Sequence, residues 1–96
     1  MLCALTVRRL KPGAFEDFKQ EWDAVGQPEG WTRSYTVRNV DDQDEIVSFG
    51  FFDGSLEELR RSQKDSDYAG WRGRVDPLVE STGTDGIFEV VMEQGT

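Results

Sequence analysis

Residues 45–59 read Glu45-Ile46-Val47-Ser48-Phe49-Gly50-Phe51-Phe52-Asp53-Gly54-Ser55-Leu56-Glu57-Glu58-Leu59. The first eight alternate so that both faces carry apolar side chains. Val47, Phe49 and Phe51 fall on one face, and Ile46 and Phe52 on the other. A strand apolar on both sides belongs inside a sheet with cover above and below. Asp53-Gly54 then turns the chain. Ser55 followed three residues later by Glu58 has the spacing of a capping box, which opens a helix.

Upstream, Trp31 to Val40 is rich in Thr, Tyr and Val and reads as a second strand. The polar run Asp41 to Asp44 joins it to the third strand, Glu45 to Phe52, as a hairpin. Ala14 to Val25 reads as a helix. Phe15, Phe18, Trp22 and Val25 share one face, and Gly26 and Pro28 follow at its end. Leu2 to Leu10 reads as the first strand, with Leu5 and Val7 alternating against Thr6 and Arg8. Lys11-Pro12-Gly13 closes it.

Downstream of Ser55 the spacing predicts a short helix, a break near Ser66, and a second helical piece from Tyr68 through Trp71, Val75 and Leu78 to about Val79. Pro77 ends or kinks that piece. Ser81 to Gly86 reads as a loop and Ile87 to Glu93 as a fourth strand. The order is β-α-β-β-α-β in a single domain spanning residues 1–96. This predicts an α+β, ferredoxin-like fold with a four-stranded antiparallel sheet and both helices on one face. The apolar residues left on the second face call for a partner. Burial at ~25 cal/mol per Å² would favour a homodimer through the sheet.

Composition sets further bounds. The chain has 96 residues, 36% of them hydrophobic, and a net charge of −8. Such a charge opposes nucleic-acid and anionic-membrane partners. Histidine is absent, which removes Ser-His-Asp and Cys-His arrangements, histidine bases and histidine metal ligation. Cys3 is the one cysteine, so no internal disulfide forms and a reducing cytoplasm is the expected compartment. No apolar run is long enough to span a membrane.

The opening strand with Lys11-Pro12-Gly13 and an aromatic helix, the hairpin, and the stretch Phe51 to Leu59 resemble the antibiotic-biosynthesis-monooxygenase-like families of the dimeric α/β-barrel superfamily. So does the run Asp67-Tyr68-Ala69-Gly70-Trp71-Arg72 to Pro77-Leu78, which is similar to the interrupted second helix of those families. The resemblance covers nearly the whole chain. It implies a dimeric α/β barrel and small-molecule binding in a cleft between helices and sheet. For some members it implies oxygenation of aromatic polyketides without a cofactor. The haem-degrading branch uses an Asn, a Trp and a His, where this chain offers Thr6, Phe51 and Arg72, so haem cleavage of that kind is not expected.

On this reading Tyr35, Phe49, Tyr68 and Trp71 would stack on a flat substrate. Arg72 would be the catalytic residue, steadying an oxyanion, with no cofactor and no metal. Ordinary core packing of the aromatics and a solvated, ion-paired arginine are the plainer readings. The acidic run Asp41, Asp42, Asp44 and Glu45 lacks the spacing of a calcium loop. Phe49-Gly50-Phe51 is similar to the aromatic motif of RNA-recognition modules, but the basic residue before it and the first-strand aromatic are missing. Two function classes remain: a cofactor-independent oxygenase-like protein acting on an aromatic or polyketide-like metabolite, and a non-catalytic dimer that binds a metabolite or supports another enzyme.

Overall fold

The computed structural model describes residues 1–24, 29–64 and 66–95. Four strands, β1 (Leu2–Leu10), β2 (Trp31–Asn39), β3 (Asp42–Phe52) and β4 (Val79–Glu89), form one sheet in the order β2-β3-β1-β4. Every neighbouring pair is antiparallel. Helices α1 (Phe15–Ala24), α2 (Leu56–Gln63) and α3 (Ser66–Val75) complete the ferredoxin-like plan, with a 3₁₀ turn at Asp76–Leu78. The two interior strands, β3 and β1, hold the sheet together, as the two-faced pattern of residues 45–52 requires.

Local chemistry explains most boundaries. Ser55 Oγ accepts from the Glu58 amide and the Glu58 carboxylate accepts from the Ser55 amide, so the capping box starts α2. Those hydrogen bonds also hold the Glu58 carboxyl below its usual range. Pro77 stops α3 after Val75 and sits in the 3₁₀ turn that follows. Gly30 has φ +94°, and a Cβ there would lie 2.5 Å from the Phe52 ring. A side chain at that position is excluded on both counts. The expected end of α1 at Val25, Gly26 and Pro28 lies outside the described residues.

Three boundaries differ from the sequence reading. The second helical piece, expected to reach about Val79, ends at Val75, and Val79 already belongs to β4. Strand β3 begins at Asp42, because Arg9 on β1 pairs with Asp42 at 2.6 Å and draws the acidic run into the ladder. That bond holds the Asp42 carboxyl below the usual carboxylate range. The stretch Ser81 to Gly86, expected as a loop, is the middle of β4, and residues 90–93 lie beyond the strand. Its Ser, Thr, Gly and Asp content reads as loop by composition. The register nonetheless runs from Leu2↔Glu89 to Leu10↔Val79, with two irregularities, so pairing to β1 overrides local preference. Gly and polar residues are tolerated there because β4 is an edge strand.

The main core joins Leu10, Ala14, Phe18, Ile46, Trp71 and Val75. Trp71 ties the helices together: its indole N–H donates to the Glu21 carbonyl at 2.9 Å. Its ring meets Phe18 at 6.3 Å and Trp22 at 5.7 Å, both edge-on. Among the described residues no helix is long and apolar enough to cross a membrane. Leu10 is fully buried, so Leu10→Ala is expected to cost about 2–5 kcal/mol in urea denaturation, and a loss under about 1 kcal/mol would contradict this core.

Candidate functional site: a polar row beneath the helices

The alternation of β1 gives a period and leaves open which set points to the helices. Thr6, Arg8 and Leu10 are buried under the helices, while Leu5 and Val7 are half-buried on the open face. The register carries this parity across the sheet. Thr36, Ser48, Thr6 and Asp85 line up as one polar row from β2 to β4 on the helix side. Thr36 and Ser48 share a hydroxyl hydrogen bond of 3.1 Å, and Thr6 Oγ1 donates to Asp85 Oδ1 at 3.3 Å. The adjacent row is Ser34, Gly50, Ala4 and Ile87, again mostly small.

Large side chains stand at the two ends of this floor. Ile46 and Leu10 belong to the main core at one end, and Phe52 meets Trp31 edge-on at 5.2 Å at the other. Buried hydroxyls cost free energy unless paired, and small residues leave room above them. Beside the row opens a cavity of about 190 Å³ lined by Phe15, Phe18, Lys19, Trp22, Asp23 and Thr36.

Arg8 follows the row on β1. It is 3% exposed, and its guanidinium lies 5.7 Å from the Phe18 centroid and 5.6 Å from the Trp71 centroid. Its Nη1 is buried with no hydrogen-bond partner among the described residues. Burial pulls this group below the usual arginine range and neighbouring Arg72 adds to the shift, while Tyr68, Asp85 and Asp76 oppose it. Arg72 donates to Tyr68 Oη at 3.3 Å and to Asp85 Oδ2 at 3.1 Å. For Arg72, burial also works against the charge, but the bonds to Tyr68 and Asp85 outweigh it and raise its pKa.

The sequence-based site residues therefore fall into two groups. Tyr68, Trp71 and Arg72 sit together on α3, with Tyr68 and Trp71 rings 5.8 Å apart. Tyr35 and Phe49 face each other at 5.4 Å on neighbouring strands, but on the open face of the sheet. They cannot meet the α3 group in one cleft, because their strand parity is that of Leu5 and not of Thr6. Phe51, placed beside Thr6 and Arg72 by the haem-branch comparison, also lies on the open face, across from Cys3. Arg8, Ser48, Thr36 and Asp85 were not singled out as site residues. The available signal was polar residues sharing parity with Leu10, Ile46 and Phe52.

The acidic hairpin is engaged locally. Asp42 binds Arg9, and Glu45 accepts from Asn39 at 2.9 Å. The basic run is ion-paired too, through Arg61–Glu57, Arg72–Asp85 and Arg74–Glu21. Exposed pairs of this kind contribute about 0–1 kcal/mol each. Asp85 differs in serving both Thr6 and Arg72. Asp85→Asn should cost about 1 kcal/mol, and a cycle with Arg72→Gln should show coupling of a few tenths to about 1 kcal/mol. Strict additivity in urea melts would show that the pair does not order the site.

No protein-family profile matches the chain. No curated protein matches it by sequence. Solved structures do match over nearly its whole length. SnoaB, a cofactor-independent oxygenase from Streptomyces nogalater, superposes with a TM-score of 0.84 at 14% identity, covering 96% of this chain and 94% of its own. A protein from Chloroflexus aurantiacus named for the antibiotic biosynthesis monooxygenases gives 0.79 at 18%, covering 98% and 96%. One similarly named from Nitrosomonas europaea gives 0.76 at 16%, covering 96% and 100%. At these identities the likeness is one of architecture, and the chain has the ferredoxin-like fold of the antibiotic biosynthesis monooxygenase structures.

Proposed function

We propose that the chain binds a planar aromatic or polyketide-like metabolite between its helices and sheet and oxygenates it with dioxygen, without a cofactor. One observation carries this reading: a row of hydroxyls, buried at Thr6 and Ser48, flanked by two guanidiniums and walled by Phe18, Trp71 and Tyr68, where a sandwich of this kind would ordinarily be apolar. Its likeness to a cofactor-independent oxygenase adds support.

Without a redox cofactor, the electrons for reducing dioxygen come from the substrate. A ring methylene flanked by phenols loses a proton and gives an electron-rich anion. That anion reduces dioxygen, one oxygen atom becomes the new ring carbonyl, and the other leaves as water with the two methylene hydrogens. Positive charge held in a dry site lowers the cost of the first step. Arg8 and Arg72 supply it, with Arg72 sharing its charge with Asp85. Tyr68 and Trp71 form the wall against which a flat ring stacks.

The rival reading, a metabolite-binding or accessory protein without turnover, has its own support. Asp85, the carboxylate at the row, already accepts from Thr6 at one oxygen and from Arg72 at the other. Oxygen-electrode measurements with a dihydroxyanthrone separate the two. Uptake above the buffer rate, with one dioxygen consumed per ring oxidised, is expected. Tight binding with uptake at the buffer rate would favour the rival.

We also propose that a second copy of the chain covers the open face. Tyr35, Val37 and Phe88 are 43%, 46% and 46% exposed there, around Leu5, Val47, Phe49 and Phe51. An apolar patch of this kind on a small domain marks an association surface. Cys3 lies on the same face, free and half-buried, with burial raising its pKa. A reducing compartment suits it, and we place the protein in the cytoplasm. Sedimentation should give twice 10.9 kDa for the wild type and 10.9 kDa for Phe49→Asp. A monomeric wild type would overturn the pairing.

A further inference from the structure

Arg8 is the least expected residue in the helix–sheet layer. A buried guanidinium is costly unless its five donors find acceptors. The rings of Phe18 and Trp71 offer cation–π contact, which compensates only in part. Nη1 still has no acceptor among the described residues. Arg72, the cation first expected to hold an oxyanion, already donates to Tyr68 and Asp85. Arg8 and Arg72 together face one close carboxylate, Asp85, with Asp76 contributing more weakly. The result is a local excess of positive charge inside a chain whose net charge is −8.

We propose that Arg8 Nη1 holds an ionised oxygen of a planar aromatic ligand, with Phe18 and Trp71 flanking the guanidinium. This rests on the cleft reading above and narrows its ligand to an aromatic oxyanion, a carboxylate or a phenolate. Geometry supports the class in three ways. The donor is built into the rigid interior strand β1. Phe18 contacts the guanidinium and also lines the 190 Å³ cavity, so its ring is the wall between cavity and cation, and a ligand oxygen entering from the cavity reaches Nη1 past that ring. The hydroxyls of Thr6, Ser48 and Thr36 continue across the floor and can take up further polar atoms of the same ligand.

The test uses the whole protein and matched probes in calorimetric titration: naphthoate, its neutral amide naphthamide, and para-nitrophenol above and below its own ionisation. The wild type should prefer naphthoate to naphthamide by about tenfold or more, the scale of one charge-assisted hydrogen bond. Preference for para-nitrophenolate as well would extend the class to phenolates; preference for naphthoate alone would assign carboxylates. Arg8→Met should abolish the preference without lowering Tm, since it removes an unpaired buried donor. Arg8→Lys should retain a reduced preference, and Arg74→Gln, the same charge change on an exposed face of α3, should retain all of it.

Equal binding of naphthoate and naphthamide by the wild type would leave the cleft standing and overturn the role of Arg8. Failure of every probe to bind would overturn both. A preference that survives Arg8→Met, or falls equally in Arg74→Gln, would also overturn the proposal. So would a folded Arg8→Lys that no longer distinguishes the two probes.

Discussion

The polar row Thr36, Ser48, Thr6 and Asp85, buried at Ser48 and Thr6, is the constraint around which the remaining structure is arranged. Hydroxyls under helices cannot be packed over with leucine without a desolvation cost, so they pair across strands, as Thr36 with Ser48 and Thr6 with Asp85. The apolar load then moves to the ends of the sheet. Leu10, Ile46, Phe18 and Val75 close one end, and Phe52 with Trp31 closes the other. Gly50 belongs to the same economy of space, because a Cβ there would stand 3.2 Å from the Trp31 ring and 2.9 Å from Ser34 Oγ.

Aromatic side chains make this arrangement stable despite its polar middle. Trp71 joins α3 to α1 through its indole N–H and its contacts with Phe18 and Trp22, and presents its ring to Arg8. Arg38 plays a related part at the β2 edge, with its guanidinium 4.5 Å from the Phe15 centroid. The helices are thus fixed to the sheet through rings and cations at their margins. Among the described residues the opposite face has no such cover, and there Tyr35, Val37, Val47, Phe49, Phe51, Leu5, Val7 and Phe88 spread apolar surface across the four strands.

Much of the fold was legible in residues 45–59. The two-faced strand, the capping box and the helix break near Ser66 correspond to β3, the start of α2 and the start of α3. The fold class follows from their order. The site was less legible, because alternation gives a period and not a phase. Leu5 and Val7 look inward by hydrophobicity, yet an apolar open face draws them outward and leaves Thr6 and Arg8 under the helices. The same phase error put Tyr35 and Phe49 in the cleft with Tyr68, Trp71 and Arg72. Strand β4 was misplaced because pairing to β1 is non-local and leaves no mark in the composition of residues 81–86.

We propose a division of labour between the two faces of the sheet, with ligand chemistry on the polar side and association on the apolar side. Amide and indole chemical-shift mapping during a naphthoate titration separates the two faces directly. Shifts are expected to concentrate at Thr6, Arg8, Ser48 and the Trp71 indole. Shifts confined to Tyr35, Val37, Phe49 and Phe88 would place the ligand on the open face and contradict this division.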